Sequence, residues 1–413
     1  SQKHVGLALL EPHTKYINKT CLNEEFDTVL SNSQTTTIKR TVLFGLVNNR
    51  FGLHILSCTP EVVDLIDAEV LNKAVEDEGT KGVSPLYLLS TNIEGRRIIN
   101  KSQQIEKISK SGLNRIVDDG VHKGLSPLAW FFQIREGIEI LSQHPHLPEI
   151  IDEKTLNRES ISIVDDKYMS PALKLLTQRA GYELLLKYPE IASKIHENTI
   201  NNMDISYMKW KSLLHCVVAH HEGRLVLLKN KVLVEKIHSE VLNVYCEKRN
   251  FAPIACLVTS DIGFEILRAY PQLLDKVSEK GLNSTFSLGI EDDGMSVIFA
   301  LLVSPNAQSL LTHHLVDCIA EAGLQAKPEQ GDYADISLKS YLELPETRAK
   351  WSRSDSVVGQ YLYQRLSIRG LIDRSVDDID GDLPKENILT SQSLLGNDVT
   401  VPHPRDMMQR KPD

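Results

Sequence analysis

At 413 residues the chain is long enough for two or three ordinary domains or for one elongated array, and 41% hydrophobic with 24% charged residues is ordinary globular composition. A formal net charge of -9 argues against nucleic acid, whose phosphates need clustered Lys and Arg, and points to protein partners. No apolar run approaches the roughly 18 residues of a membrane-spanning helix, and no signal-peptide pattern opens the chain, so no membrane insertion is expected.

The first stretch, residues 1–40, reads as a truncated repeat and linker. Gly6-Leu-Ala-Leu-Leu-Glu-Pro and Leu22-Asn23 match the second half of a unit whose complete copies follow, which predicts that the natural protein extends further N-terminally. From 41 to 325 the sequence repeats with a period of about 42 residues. Gly52, Gly95, Gly137, Gly181, Gly223 and Gly263 are 43, 42, 44, 42 and 40 residues apart, and Ala307 follows 44 further on.

Ten residues before each anchor stands Pro85, Pro127, Pro171 or Pro253, or an aliphatic residue in its place, preceded by a small residue such as Ser84, Ser126 or Ser296. Ser then Pro is a helix cap followed by a first residue whose missing N–H is harmless, so a helix begins there seven times. Paired aliphatics after the anchor, such as Ile98-Ile99 and Leu184-Leu185, predict a second helix. A later proline, at 60, 145, 189 and 271, predicts a third helix or a kink in the second. Each unit closes on Leu-Asn or a near relative, Asn being suited to the left-handed backbone that ends a helix.

After Leu324 the period is lost. Residues 326–370 read as a helical cap built on an amphipathic helix over 354–368, with Val357, Val358, Tyr361, Leu362 and Leu366 on one face. Residues 371–413 read as an irregular or disordered tail. Its Asp377-Asp-Ile-Asp-Gly-Asp382 lacks the acids a calcium loop needs at its first and twelfth positions, where Val376 and Asn387 stand.

The phrases Gly82-Val-Ser-Pro-Leu86, Gly124-Leu-Ser-Pro-Leu128 and Lys211-Ser-Leu-Leu-His215, with the later glycine, the Ile-Leu pair and the terminal Leu-Asn, resemble ankyrin repeats over residues 40 to 325. The period exceeds the ankyrin length of about 33 residues. The resemblance implies an all-α helical-repeat solenoid with two to three helices per unit, short helices being stable only when stacked on their neighbours. The style is similar to the ankyrin-like arrays of secreted effectors of intracellular bacteria, which extends the expected partner to a host protein and the expected location to a host-cell cytosol.

Candidate site residues come from two features. Tyr87, Trp130 and Phe299 on the first helices are aromatic anchors for a protein partner, or core. Asp118, Asp119, Asp165 and Asp166, with neighbouring acids in other loops, form an acidic edge for a basic partner, or simply solvated turns. The cluster His215-Cys216 with His220-His221-Glu222, and the pair His314 with Cys318, hold metal-capable side chains, yet the repeat register already accounts for the first. Six cysteines without a C-x-x-C pair suggest reduced thiols in a reducing, cytoplasmic compartment. No nucleotide, metalloprotease, hydrolase or kinase motif is present, so no catalytic residue, metal or cofactor is assigned. The reading is therefore a non-enzymatic interaction scaffold; the alternative is the substrate-recruiting part of an enzyme whose catalytic domain lies elsewhere or in the C-terminal segment.

Overall fold

The computed structural model describes residues 19–30, 36–76, 78–161, 168–203, 205, 209–288, 293–304, 307–352 and 357–373. Asp165, Asp166, the Gly6 segment, the stretch from Asp377 to Asp382 and the tail reading from Arg374 onward lie outside these residues. The described chain is mostly helical. Two short antiparallel pairs are the exceptions: β1 (Glu25–Leu30) with β2 (Thr36–Thr41), and β3 (Ser160–Ile161) with β4 (Tyr168–Met169). In the first pair Glu25 faces Thr41 and Leu30 faces Thr36, so part of the expected linker is a hairpin. Its run of Thr and Ile suits extended backbone.

Among the described residues a set of four short helices recurs seven times, rather than the two or three expected. In the third unit it runs Pro127–Gln133, Arg135–Gln143, His146–Ile150 and Glu153–Asn157. The extra break falls at Ile151-Asp152, where the backbone is extended and the Asp152 carboxylate accepts the Thr155 amide at 3.2 Å. The repeated proline marks a separate third helix: Pro60 and Pro271 open theirs, and Pro145 and Pro189 stand just before theirs.

First helices begin as the capping argument requires. Ser84, Ser126, Ser170 and Ser296 each accept the amide three residues on, from Tyr87, Ala129, Leu173 and Phe299. Ser337 does the same for Ser340, 41 residues after Ser296, ahead of the helix Leu338–Glu343. The period therefore does not end at Leu324; one further helix start follows it.

The anchor glycine serves close approach. A Cβ at any of the six would stand 1.9–2.4 Å from the carbonyl oxygen six residues earlier, at the end of the first helix. Only a bare Cα lets the second helix turn back so tightly. Second helices pack on their counterparts: Arg50–Cys58 on Ile93–Lys101, and Arg135–Gln143, Arg179–Lys187, His221–Lys229 and Asp261–Ala269 in succession.

The closing asparagine does something other than expected. Its backbone is not left-handed; Asn201 has φ -91°, and the described non-glycine residues with positive φ are Lys209, Asn250 and Asp335. Instead its side chain joins units. Asn201 Nδ2 donates to Glu197 O of its own helix (2.9 Å) and to Lys236 O of the next unit (2.7 Å), while Oδ1 accepts from His238 N (2.8 Å). The same three contacts recur at Asn72, Asn114, Asn157, Asn243 and Asn283. Beside this ladder, Lys107, Lys194, Lys236 and Lys276 reach back to carbonyls just past the previous unit's third helix, a favourable place for a cation.

Towards the C-terminus the helix Val357–Ile368 buries Leu362, Tyr363 and Leu366, while Val357 is 70% exposed and drops out of the expected apolar face. Asp317 of the seventh unit holds this helix through the Tyr361 hydroxyl (3.0 Å) and Arg365 Nε (2.6 Å).

Candidate interaction surface

Two of the three expected aromatic anchors are core. Tyr87 and Phe299 are both 0% exposed. Phe299 lies under Tyr333 and Tyr341, with ring centres 5.6 and 5.5 Å away. Tyr87 sits in a small second core with Val75, Val83, Val117, Leu125 and Ala129, and its hydroxyl accepts from Trp130 Nε1 at 2.8 Å. Trp130 is half-buried and spends its one donor there. The cover comes from the inter-unit loops, which close as narrow hairpins: Val75 N donates to Val83 O, Val117 N to Leu125 O, and Phe286 N to Met295 O. A signal for this was present as an apolar residue three after the closing Asn (Val75, Val117, Cys246, Phe286) and another just before the capping position (Val83, Leu125, Phe251, Met295).

The acidic edge is also built differently from the expectation. Asp118 and Asp119 are exposed, but the Asp119 carboxylate accepts the amides of Gly79 (2.9 Å) and Gly120 (2.7 Å), which tie two successive loops together and hold its pKa below the usual range. Asp118 lies 3.4 Å from Arg115, which also meets Glu76 at 3.6 Å. Asp293 accepts the Leu288 amide and the Ser287 hydroxyl. These acids fasten turns and pair with nearby bases, so the described part of the row is not a bare negative edge.

The His215 cluster does not converge. His215 is buried against Phe251 and its Nδ1 meets the Ser212 hydroxyl at 2.7 Å, whereas His220 Nδ1 donates to Cys216 O. Burial pushes the Cys216 thiol up to about 11, which removes it as a nucleophile. Among the described residues no three His, Cys, Asp or Glu side chains are arranged to hold a metal ion, and no helix is long and apolar enough to cross a membrane.

A different place breaks the repeat's own pattern. The first residue of the second helix is Arg50, Arg135, Arg179, His221 or Asp261 in five units, and Ile93 in the second unit. Ile93 is 49% exposed, and a cavity lies on each side of it. One, of about 560 Å³, has Leu56, Pro60, Val63 and Ile98 as its floor; the other, of about 480 Å³, has Val47, Leu53 and Leu88. Arg50, Arg97 and Lys101 stand around them with one acid, Glu94; Arg97 is paired with Glu136 at 3.4 Å, so Arg50 and Lys101 supply the rim's positive charge on a chain of net charge -9. Glu94 is already engaged by the Ser57 hydroxyl at 3.1 Å. An exposed aliphatic at a position that five other units fill with charged or polar residues, beside two apolar-lined grooves, suits an apolar side chain flanked by acids.

Comparison with known proteins adds no identity: no family model, curated protein or solved structure matches the chain.

Proposed function

We propose that this chain is an interaction scaffold, an ankyrin-like helical-repeat solenoid that holds an apolar, acid-bearing peptide segment of a protein partner in the double groove around Ile93. The observation that carries the reading is Ile93 itself, exposed at a register position that five sister units fill with charged or polar residues. The recurrent asparagine contacts supply the reason for the array: they lock successive units in register and so hold the grooves rigid, which favours binding without an ordering penalty. The style resemblance to secreted effectors makes a host protein the partner class to search first.

Fluorescence anisotropy with labelled peptides alternating Leu or Phe with Glu tests this. The peptides bind the native chain, Ile93→Glu weakens binding roughly tenfold or more, as expected for a central apolar anchor, and Lys-for-Glu peptides bind worse. Val232→Glu, at another exposed aliphatic (47%), leaves binding unchanged. Equal binding by the native chain and Ile93→Glu rejects the groove.

A further inference from the structure

The chain carries two His-x-x-x-Cys pairs, His54 with Cys58 in the first unit and His314 with Cys318 in the seventh. The four-residue spacing places each ring over its thiol. Sγ lies 3.8 Å from Nε2 in both. What surrounds them differs. His54 Nδ1 faces the Glu94 carboxylate of the next unit at 4.0 Å, and Ser57 holds that carboxylate in place. A carboxylate on that side favours the tautomer with its proton on Nδ1, leaving the Nε2 lone pair towards the thiol.

At the second pair His314 Nε2 donates to Val277 O at 2.9 Å, so the nitrogen nearest the sulfur is already committed. The Cys318 thiol is pushed up by partial burial and by the acids Glu279 and Asp317, against Arg369. Cys58 is exposed, and the residues around it, Ser57, Pro60 and Glu94, line the 560 Å³ groove.

We propose that Cys58 is a nucleophilic thiol that captures soft carbon electrophiles at its exposed face, with His54 as its base and Glu94 as the positioning residue behind the ring. With an α,β-unsaturated carbonyl the sulfur forms an S–C bond at the β carbon and the C=C π pair moves to the α carbon. The proton that left the thiol for His54 Nε2 is then returned to the α carbon, so nothing else is consumed. The inference rests on the Cys58–His54–Glu94 contacts and not on the peptide reading, and either can fail alone.

The test is limiting N-ethylmaleimide on the full chain, with peptide mapping by mass spectrometry to follow each cysteine. At about pH 7 Cys58 reacts first, roughly tenfold faster than Cys318, since it is exposed beside a ring nitrogen that can take its proton, whereas the ring beside Cys318 is committed to Val277 O. His54→Gln, a change at a half-exposed side chain, slows Cys58 several-fold at that pH, and the gap narrows as pH is raised and hydroxide replaces the ring as base. Glu94→Gln gives a smaller slowing with the pH–rate midpoint moved upward, a shift that mere loosening of the helix would not produce. His314→Gln leaves Cys318 unchanged. Cys58 reacting no faster than Cys318, or at the same rate in His54→Gln near pH 7, overturns the proposal.

Discussion

Units one to six and unit seven carry out the same plan with different residues at two positions. The first six have an anchor glycine and a closing asparagine; the seventh has Ala307 and Gln325. All six glycine units have a nine-residue second helix that ends six residues past the glycine, whereas the described part of the seventh, Ala307–Leu310, ends three past Ala307. The six asparagines each bridge to the following unit, while Gln325, one methylene longer, is exposed. The difference teaches that the repeat is held by two exact-fit contacts. One is a bare Cα under a carbonyl, the other an amide of one particular length, and neither is a matter of general helix propensity or hydrophobicity.

The strongest way to break that comparison is Gly181→Ala. In an exposed helix the change would stabilise by up to about 1 kcal/mol, but here the new methyl meets Leu175 O at 1.9 Å, a backbone atom that cannot swing aside. A loss of about 3 kcal/mol is expected, in the range of overpacked interiors, read as a lowered urea midpoint. If Gly181→Ala is stabilising, close approach is not why glycine stands there.

Next in size is the asparagine rung. Asn201→Ala removes three hydrogen bonds and leaves Lys236 O and His238 N to find water at a half-buried junction, an expected loss of about 2 kcal/mol. Gln325→Ala should move stability by only a few tenths of a kcal/mol, as surface changes do. Native-state hydrogen exchange sharpens this further, since uncoupling a junction should raise exchange on both its sides while distant units stay protected. Equal effects at 201 and 325 would show the ladder to be incidental.

Much of this was legible in the sequence and some was misread for identifiable reasons. The period, the Ser-Pro helix starts and the aliphatic pairs follow from local rules, and Ser84, Pro85 and Leu184-Leu185 sit where those rules put them. Asn201 and its sisters were read as turn formers because a side chain's bond to the next unit, some 35 residues away, has no local signature. For Tyr87 and Phe299 the sequence leaves anchor and core both open, because the loop valines and Tyr333 that cover them come from other segments. Ile93 is visible in the sequence as the aliphatic residue two before an anchor glycine where Arg50, Arg135, Arg179, His221 and Asp261 stand in other units.

The gentlest test concerns the first-helix position filled by Phe299 in unit seven and by His215 in unit five. Both are fully buried, but only one can titrate. Burial pushes the His215 imidazole down to about 4, against carbonyls of Phe251 and Val244 that favour the charged ring, from an ordinary 6.5. The unfolded chain therefore binds this proton more readily than the folded one. The folded state has its full stability above about pH 6.5, and His215 withdraws stability as pH falls from there towards 4. Between about pH 7 and pH 5.5 the withdrawal amounts to about 1 kcal/mol from this residue. His215→Phe should flatten that part of the stability–pH curve while lowering its neutral plateau by about 1–2 kcal/mol, because the buried Ser212 hydroxyl loses its Nδ1 partner. Urea midpoints for both proteins at the two pH values decide it: parallel curves would mean that His215 is already charged in the folded state or finds a partner as it protonates.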